Sequence, residues 1–266
     1  MKIINVMTDR VYLKYEDIGN ISTNEHILCL DKVGSSYSSV SGYVEGITEL
    51  LSNGSKVKVI SVLNDFKDDF SELLYSNKTL TKNINEAKDA LRKYGYNADF
   101  DNLDTLNIDL SNEAFLSVFN DEVEELLKFL DEFCILFNIK KVNFIFKNKT
   151  NIGKLSSYIG SYLNFDLSKK VENNGKVLLI NINQFYEIYN ILIRNRCLTE
   201  TYININVKNK NYYNIKVKIG SNLNEILKIL NVDISNSKIV VNENKLYEIN
   251  NLNYLISLDV TDVYVK

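Results

Sequence analysis

The 266-residue chain has no proline and no tryptophan, one histidine and three cysteines. At ordinary usage of about 5% a chain of this length would hold roughly a dozen prolines. Asparagine is the opposite extreme, at 38 residues. With abundant isoleucine and lysine this is the composition of AT-rich coding, which accounts for Asn, Ile and Lys better than for the loss of every proline. One histidine excludes a multi-histidine metal centre and leaves His26 as the sole imidazole base, with no motif around it. Three scattered cysteines cannot build a disulfide framework or a four-thiolate zinc or iron–sulfur site. No apolar run approaches the roughly 20 residues of a membrane span. The start, MKIINVMTDR, lacks the apolar stretch of a signal peptide, so the expected location is the cytoplasm. The net charge of −3 leaves no basic face for nucleic acid. Hydrophobic residues at 45% suffice for a real core.

The pattern divides the chain into three pieces: β-rich (1–70), α/β (71–199) and β-grasp-like (200–266). In the first, Val11–Tyr15, Ile27–Leu30, Tyr43–Ile47 and Lys56–Leu63 read as short strands, the last two joined by the turn pair Asn53-Gly54. In the second, Ala87, Ala90, Leu91 and Tyr94 share a helical face that Gly95 ends. A strand over Thr105–Leu110 follows, then a long helix from about Asn120 to Asn138. The core face of that helix is Val123, Leu126, Leu127, Leu130, Phe133, Cys134 and Phe137. Val142–Phe146 and the continuous apolar Val177–Ile182 are strands; Ile152–Asn164 and Gln184–Arg194 are helices. Strand–helix alternation predicts a parallel α/β sheet. In the third piece, Thr201–Val207 and Asn214–Ile219 form a hairpin, Asn222 caps a helix over Leu223–Leu230, and Ile239–Val241 and Val263–Val265 are closing strands.

Candidate chemistry is sparse. Cys29 sits in an apolar strand, Cys134 packs on a helix core face, and Cys197 follows Arg194 and Arg196, which can lower a thiol pKa, although an inert thiol is the favoured reading there. These three are the candidate redox thiols. The acidic run 121–125 is the solvated start of a helix. Ser-Gly-Tyr-Val-Glu-Gly (41–46) opens no helix and reads as a β-turn, not a phosphate cradle. No residue set for a cofactor or a metal stands out.

Several collinear stretches resemble the C subunit of the Rnf ferredoxin:NAD oxidoreductase complex, a relative of the NADH-binding subunit of respiratory complex I. Ser38–Ile47 with Val57–Ile60 and Asn64-Asp65-Phe66-Lys67-Asp68 is similar to the family's SxVSGxVxxI…ND-x-KD hairpin, and Ile18-Gly19 to an upstream HIG. Leu178–Glu200 resembles VVxNVGTAxAIYEAVxxGxPLxE, with Asn181, Ile188, Tyr189, Leu198 and Glu200 matching. Val217–Leu227, through Gly220, resembles the VxIGTxxxEL opening of the soluble-ligand-binding β-grasp domain, and Glu122–Val142 the family's EEIIEGLxIxxxxxGxKK segment. The family-motif positions are Ser41, Gly42, Asn181, Tyr189, Glu200 and Gly220.

The resemblance implies a barrel-sandwich region, a Rossmann-like α/β core and a β-grasp domain. The departures bear on function. The family's flavin and NADH loop, GxGGAGFPT, falls between Gly95 and Leu103, where this chain has no glycine run and carries Asn97, Asp99 and Asp101. Its NGAECEP becomes Asn107–Glu113, and a Gly-Thr pair becomes Asn183-Gln184. The expectation is a cofactor-less relative, a scaffold or docking subunit among the protein partners of an electron-transfer or reductase complex. It would bind no nucleic acid, insert in no membrane, and reach a membrane periphery only through that complex. Two alternatives are a thiol-dependent electron-transfer protein serving an amino-acid reductase such as proline reductase, and a small-ligand sensor using the groove beside Leu223–Leu230.

Overall fold

The computed structural model describes residues 3–15, 22–34, 36–52, 55–71, 79–96, 98–146, 153–208, 211–234, 237–242 and 253–266. The chain is a mixed α/β protein with several sheets and, among the described residues, six helices. It forms two compact units: residues 75–196, and residues 2–74 together with 197–266. The expected turn at Asn53-Gly54 and the Ile18-Gly19 pair lie outside the described residues.

The discontinuous unit contains two main sheets. One draws its edge strand β1 (Ile3–Val6) from the start of the chain and its other strands from the end: β12 (Glu200–Val207), β13 (Asn211–Lys218), β14 (Ile239–Val241) and β15 (Asp262–Val265). Its order is β1-β13-β12-β15-β14, with β12 antiparallel to β13 and parallel to β15. Helix α6 (Leu223–Ile229), capped by Asn222, buries Leu223, Ile226 and Leu227 among Ile203, Ile205, Ile215 and Val263. The other sheet is β2 (Arg10–Lys14), β7 (Ser55–Asn64), β6 (Gly42–Ser52) and β3 (His26–Ile27), all antiparallel, with a bulge between Val44 and Gly46. Val11, Leu13, Ile27, Val40, Val44, Ile60 and Val62 form its core. A small ladder pairs β4 (Lys32–Val33) with β5 (Ser36–Tyr37).

The continuous unit starts with α1 (Ile84–Lys93), capped by Asn83 and ended by Gly95 at φ 81°. A parallel sheet follows: β8 (Thr105–Asp109), β9 (Lys141–Ile145), β10 (Phe165–Ser168) and β11 (Val177–Asn181), in the order β10-β9-β8-β11. Two helices, α2 (Glu113–Asp121) and α3 (Val123–Phe137), connect β8 to β9, whereas the sequence suggests one helix from about 120. Asn112 caps α2 by accepting from the Phe115 amide. The break falls at Glu122, whose carboxylate is drawn to Arg194 and Tyr186 and makes no cap bond for α3. All seven core-face residues expected on the long helix are buried. Helix α4 (Gly153–Ile159) precedes β10, and α5 (Ile182–Arg194) follows β11.

Strand neighbours share a face of the sheet. Leu106, Val142 and Phe165 make one apolar row, and Ile108, Phe144 and Ile180 the next, all buried. The opposite face carries the row Asp166–Asn143–Asn107–Leu179. The link from β10 to β11 holds no helix; residues 169–176 run as an irregular strap, bent at both ends, whose backbone bonds to Asn143 and Asn107. Strand β11 is an edge strand with Leu179 half-exposed.

Candidate functional site

The segment that resemblance places at a nucleotide lies just after α1. Lys88 and Arg92, one turn apart, flank a hollow of about 220 Å³, completed by Tyr96, Asp99, Asp101 and Phe137. Phe100 is 1% exposed and packs edge-on against Phe133 and Phe137, so the loop's centre is part of the core. Five amides at the two ends of the loop bond within the chain. Gly95 and Tyr96 N–H donate to Arg92 and Leu91 carbonyls, Asp101 N–H to Asp99 Oδ1, Asn102 N–H to Phe137 O, and Asp104 N–H to Lys176 O. Lys88 pairs with Asp101 and Lys176 with Asp99. Hydrogen bonding to Lys176 holds the Asp99 carboxyl below its ordinary pKa, and Lys140 does the same for Asp104. A phosphate cradle needs converging free N–H groups and favours positive potential. This hollow instead has two carboxylates in its wall. Asn97 lies outside the described residues.

The next stretch, Asn107–Glu113, has structural work. Asn107 Oδ1 accepts from Asn143 Nδ2 at 2.8 Å and from the Glu172 amide at 3.1 Å, while Asn107 Nδ2 donates to Glu172 O. Asn143 Nδ2 donates to Lys170 O as well. Both asparagines are 0% exposed. The pair does for the strap what a helix would do for itself: it satisfies backbone groups over a buried face. Asp109 Oδ1 accepts from the Ser111 amide.

In α5, Asn181 and Gln184 form a reciprocal capping box. Asn183 is buried and accepts from Asn112 Nδ2 at 3.3 Å. Tyr189 donates to Glu125, and Tyr186 to Glu122. Arg194 pairs with Glu122 at 3.0 Å and lies over both tyrosine rings. Burial opposes the Arg194 charge, but Tyr186 and Glu122 outweigh it and raise its pKa. Burial, then Glu122, pushes the Tyr186 phenol up to about 12. These tyrosines carry α5 onto α3.

In the discontinuous unit, Ser41, His26 and Asp65 meet. Ser41 Oγ donates to Asp65 Oδ1 at 2.6 Å, and His26 Nε2 lies 2.9 Å from Asp65 Oδ2. A nucleophilic triad needs the imidazole between hydroxyl and carboxylate. Here the carboxylate is in the middle, so the histidine cannot take the serine's proton. The set pins the loop after β7 instead: Asp65 Oδ1 accepts the Lys67 amide and Ser41 Oγ the Asp69 amide. Burial raises the Asp65 pKa, but the bonds from Ser41, His26 and Lys67 outweigh it and hold the carboxyl at about 2.

Gly42 and Gly220 are close-approach positions. A Cβ on Gly42 would fall 2.0 Å from Leu63 O, and one on Gly220 (φ +91°) 2.6 Å from Tyr12 O. Glu200 pairs with Lys216 and Lys218, and Lys218, nearly buried, also bonds Asp68 at 2.9 Å. Burial lowers the Lys218 pKa, but Asp68 and Glu200 raise it above the ordinary value. Thus Ser41, Gly42, Glu200 and Gly220 serve this unit, and Asn181 and Tyr189 the other. The Asp65 bridge, the Lys218 pairs and the asparagine ladder have no local sequence signal, because their partners are distant in the chain.

The structure does not bring the three cysteines together into a disulfide. Cys29 is buried and its thiol pushed up to about 11, chiefly by burial and against the pull of Lys218. Cys134 is buried and pushed up to about 12, by burial and then Asp131. Cys197 is partly exposed. No helix among the described residues is long and apolar enough to cross a membrane. No known family model matches the chain, and no curated protein matches it.

Proposed function

We propose that the chain is an Rnf C-subunit-like electron-transport-associated protein that works as a scaffold or docking subunit through protein–protein contacts. In this reading the β2-β7-β6-β3 sheet is a barrel-sandwich region and the parallel sheet a reduced Rossmann-like core. The hairpin–helix–strand–strand order β13-β12-β15-β14, with a parallel central pair, is a β-grasp domain. The observation that carries the reading is the loop after α1: Phe100 occupies the core, and the side chains of Asp99 and Asp101 stand in the wall of the hollow. Glycines that would let backbone approach a flavin phosphate are replaced by side chains that repel one. The thiol-dependent alternative rests on Cys197, since thiols held at about 11 and about 12 are protonated near neutral pH.

The test is flavin and NADH titration of the purified protein, followed by visible spectroscopy. The expected result is no flavin absorbance and no saturable binding. Bound flavin reduced by NADH overturns the reading. Reconstitution with a ferredoxin-dependent reductase tests the docking role: omission of this chain should slow electron delivery, and the Cys197→Ser variant should restore it as well as wild type.

A further inference from the structure

The strap between β10 and β11 contains the dipeptide Asn174-Gly175, and both residues are exposed. The strap is fastened on either side of this pair. Glu172 is bonded through its N–H and C=O to Asn107, and the Lys176 amide donates to Asp104 Oδ2 at 2.7 Å. Between these points, among the described residues, neither the Asn174 side chain nor the Gly175 amide enters a hydrogen bond. Gly175 has φ +77°, and a Cβ there would lie 2.1 Å from Asp104 Oδ2, so the position is reserved for glycine. A glycine after asparagine places the least bulk between its own nitrogen and the preceding side-chain carbonyl.

We propose that Asn174-Gly175 is a site of succinimide-mediated deamidation, and that the product loosens the strap from the asparagine ladder. The Gly175 nitrogen gives its proton to solvent base and attacks Asn174 Cγ. The Cγ–Nδ2 bond breaks and ammonia leaves, closing a five-membered imide. Water then adds to either imide carbonyl, giving aspartate or isoaspartate at position 174. The sum is amide plus water to carboxylate plus ammonium, with no oxidant or reductant. The isoaspartyl form routes the main chain through an extra carbon between the two fastened ends.

The experiment ages the full-length protein at mildly alkaline pH, native and in urea, and follows the tryptic peptide 171–176 by mass spectrometry. Isoaspartate is counted by enzymatic methyl transfer from S-adenosylmethionine. Because this stretch lacks protecting bonds, the native peptide should gain one mass unit within about tenfold of the rate in urea. Native gain slower than that overturns the assignment, because the fold then shields the pair. Asn174→Gln should abolish the gain in this peptide, and a gain that persists places the reaction elsewhere and overturns it too. In aged protein the Glu172 amide should exchange hydrogen faster than in fresh protein or in aged Asn174→Gln. Unchanged exchange overturns the loosening.

Discussion

At the scale of single residues, the family-like positions of the discontinuous unit are held by sterics and by one carboxylate. Gly42→Ala would drive a methyl group to 2.0 Å from Leu63 O, a backbone atom that cannot step aside. We expect a loss of about 3 kcal/mol, at the upper end of overpacking costs, measured as a fall in the urea midpoint. Asp65 gives a pH signature. Its folded pKa, about 2, is below the ordinary 3.8, so its contribution is full above about pH 4 and is lost as pH falls toward 2. Discounted for solvent screening, that contribution is about 1–2 kcal/mol. Asp65→Asn should therefore destabilise near neutral pH, and the gap to wild type should narrow in acid titrations followed by urea unfolding. The thiols give a third test at this scale. With Cys29 and Cys134 buried and raised in pKa, a disulfide reagent should modify Cys197 promptly in the native protein, and the other two only on unfolding.

At the scale of elements, the strap and its ladder are the feature with most leverage. Asn107 serves Asn143 and both backbone groups of Glu172 from a fully buried site. Asn107→Ala removes all three of these bonds, at a cost of about 2–4 kcal/mol. The same variant should expose the Glu172 amide to hydrogen exchange ahead of global unfolding. This ladder was invisible in the sequence for a physical reason. Composition supplies asparagine everywhere, so a structural Asn107 or Asn143 looks like any other until strand register puts the two side by side. The helices were legible because 3.6-residue spacing and caps are local: Asn83 and Gly95 bound α1, and Val123 through Phe137 line the core face of α3. The break at Glu122 was not, because it depends on Arg194, 72 positions away.

At the scale of the whole molecule, the sequence reading of 1–70, 71–199 and 200–266 follows changes of period along the chain, and period says nothing about which distant strands pair. Strand β1 is the instance. Four residues at the start of the chain align parallel to Asn214–Val217 and extend the sheet formed by its end, with Val6 2% exposed in that core. The unit made of residues 2–74 and 197–266 is thus closed by its first strand, whereas residues 75–196 carry their own sheet and helices. Removing residues 1–6 should strip β13 of its outer partner and uncover Ile215 and Val217, which β1 flanks in register. Loss of Val6 alone removes on the order of 2 kcal/mol of apolar burial, and the lost ladder adds to it. The truncated chain should therefore unfold in two steps in urea. An early step should release amide protection in β12 and β13. A later one, carrying most of the helical circular dichroism, should match the full chain, because five of the six described helices belong to residues 75–196. A single transition shifted as a whole would show instead that the two units unfold as one.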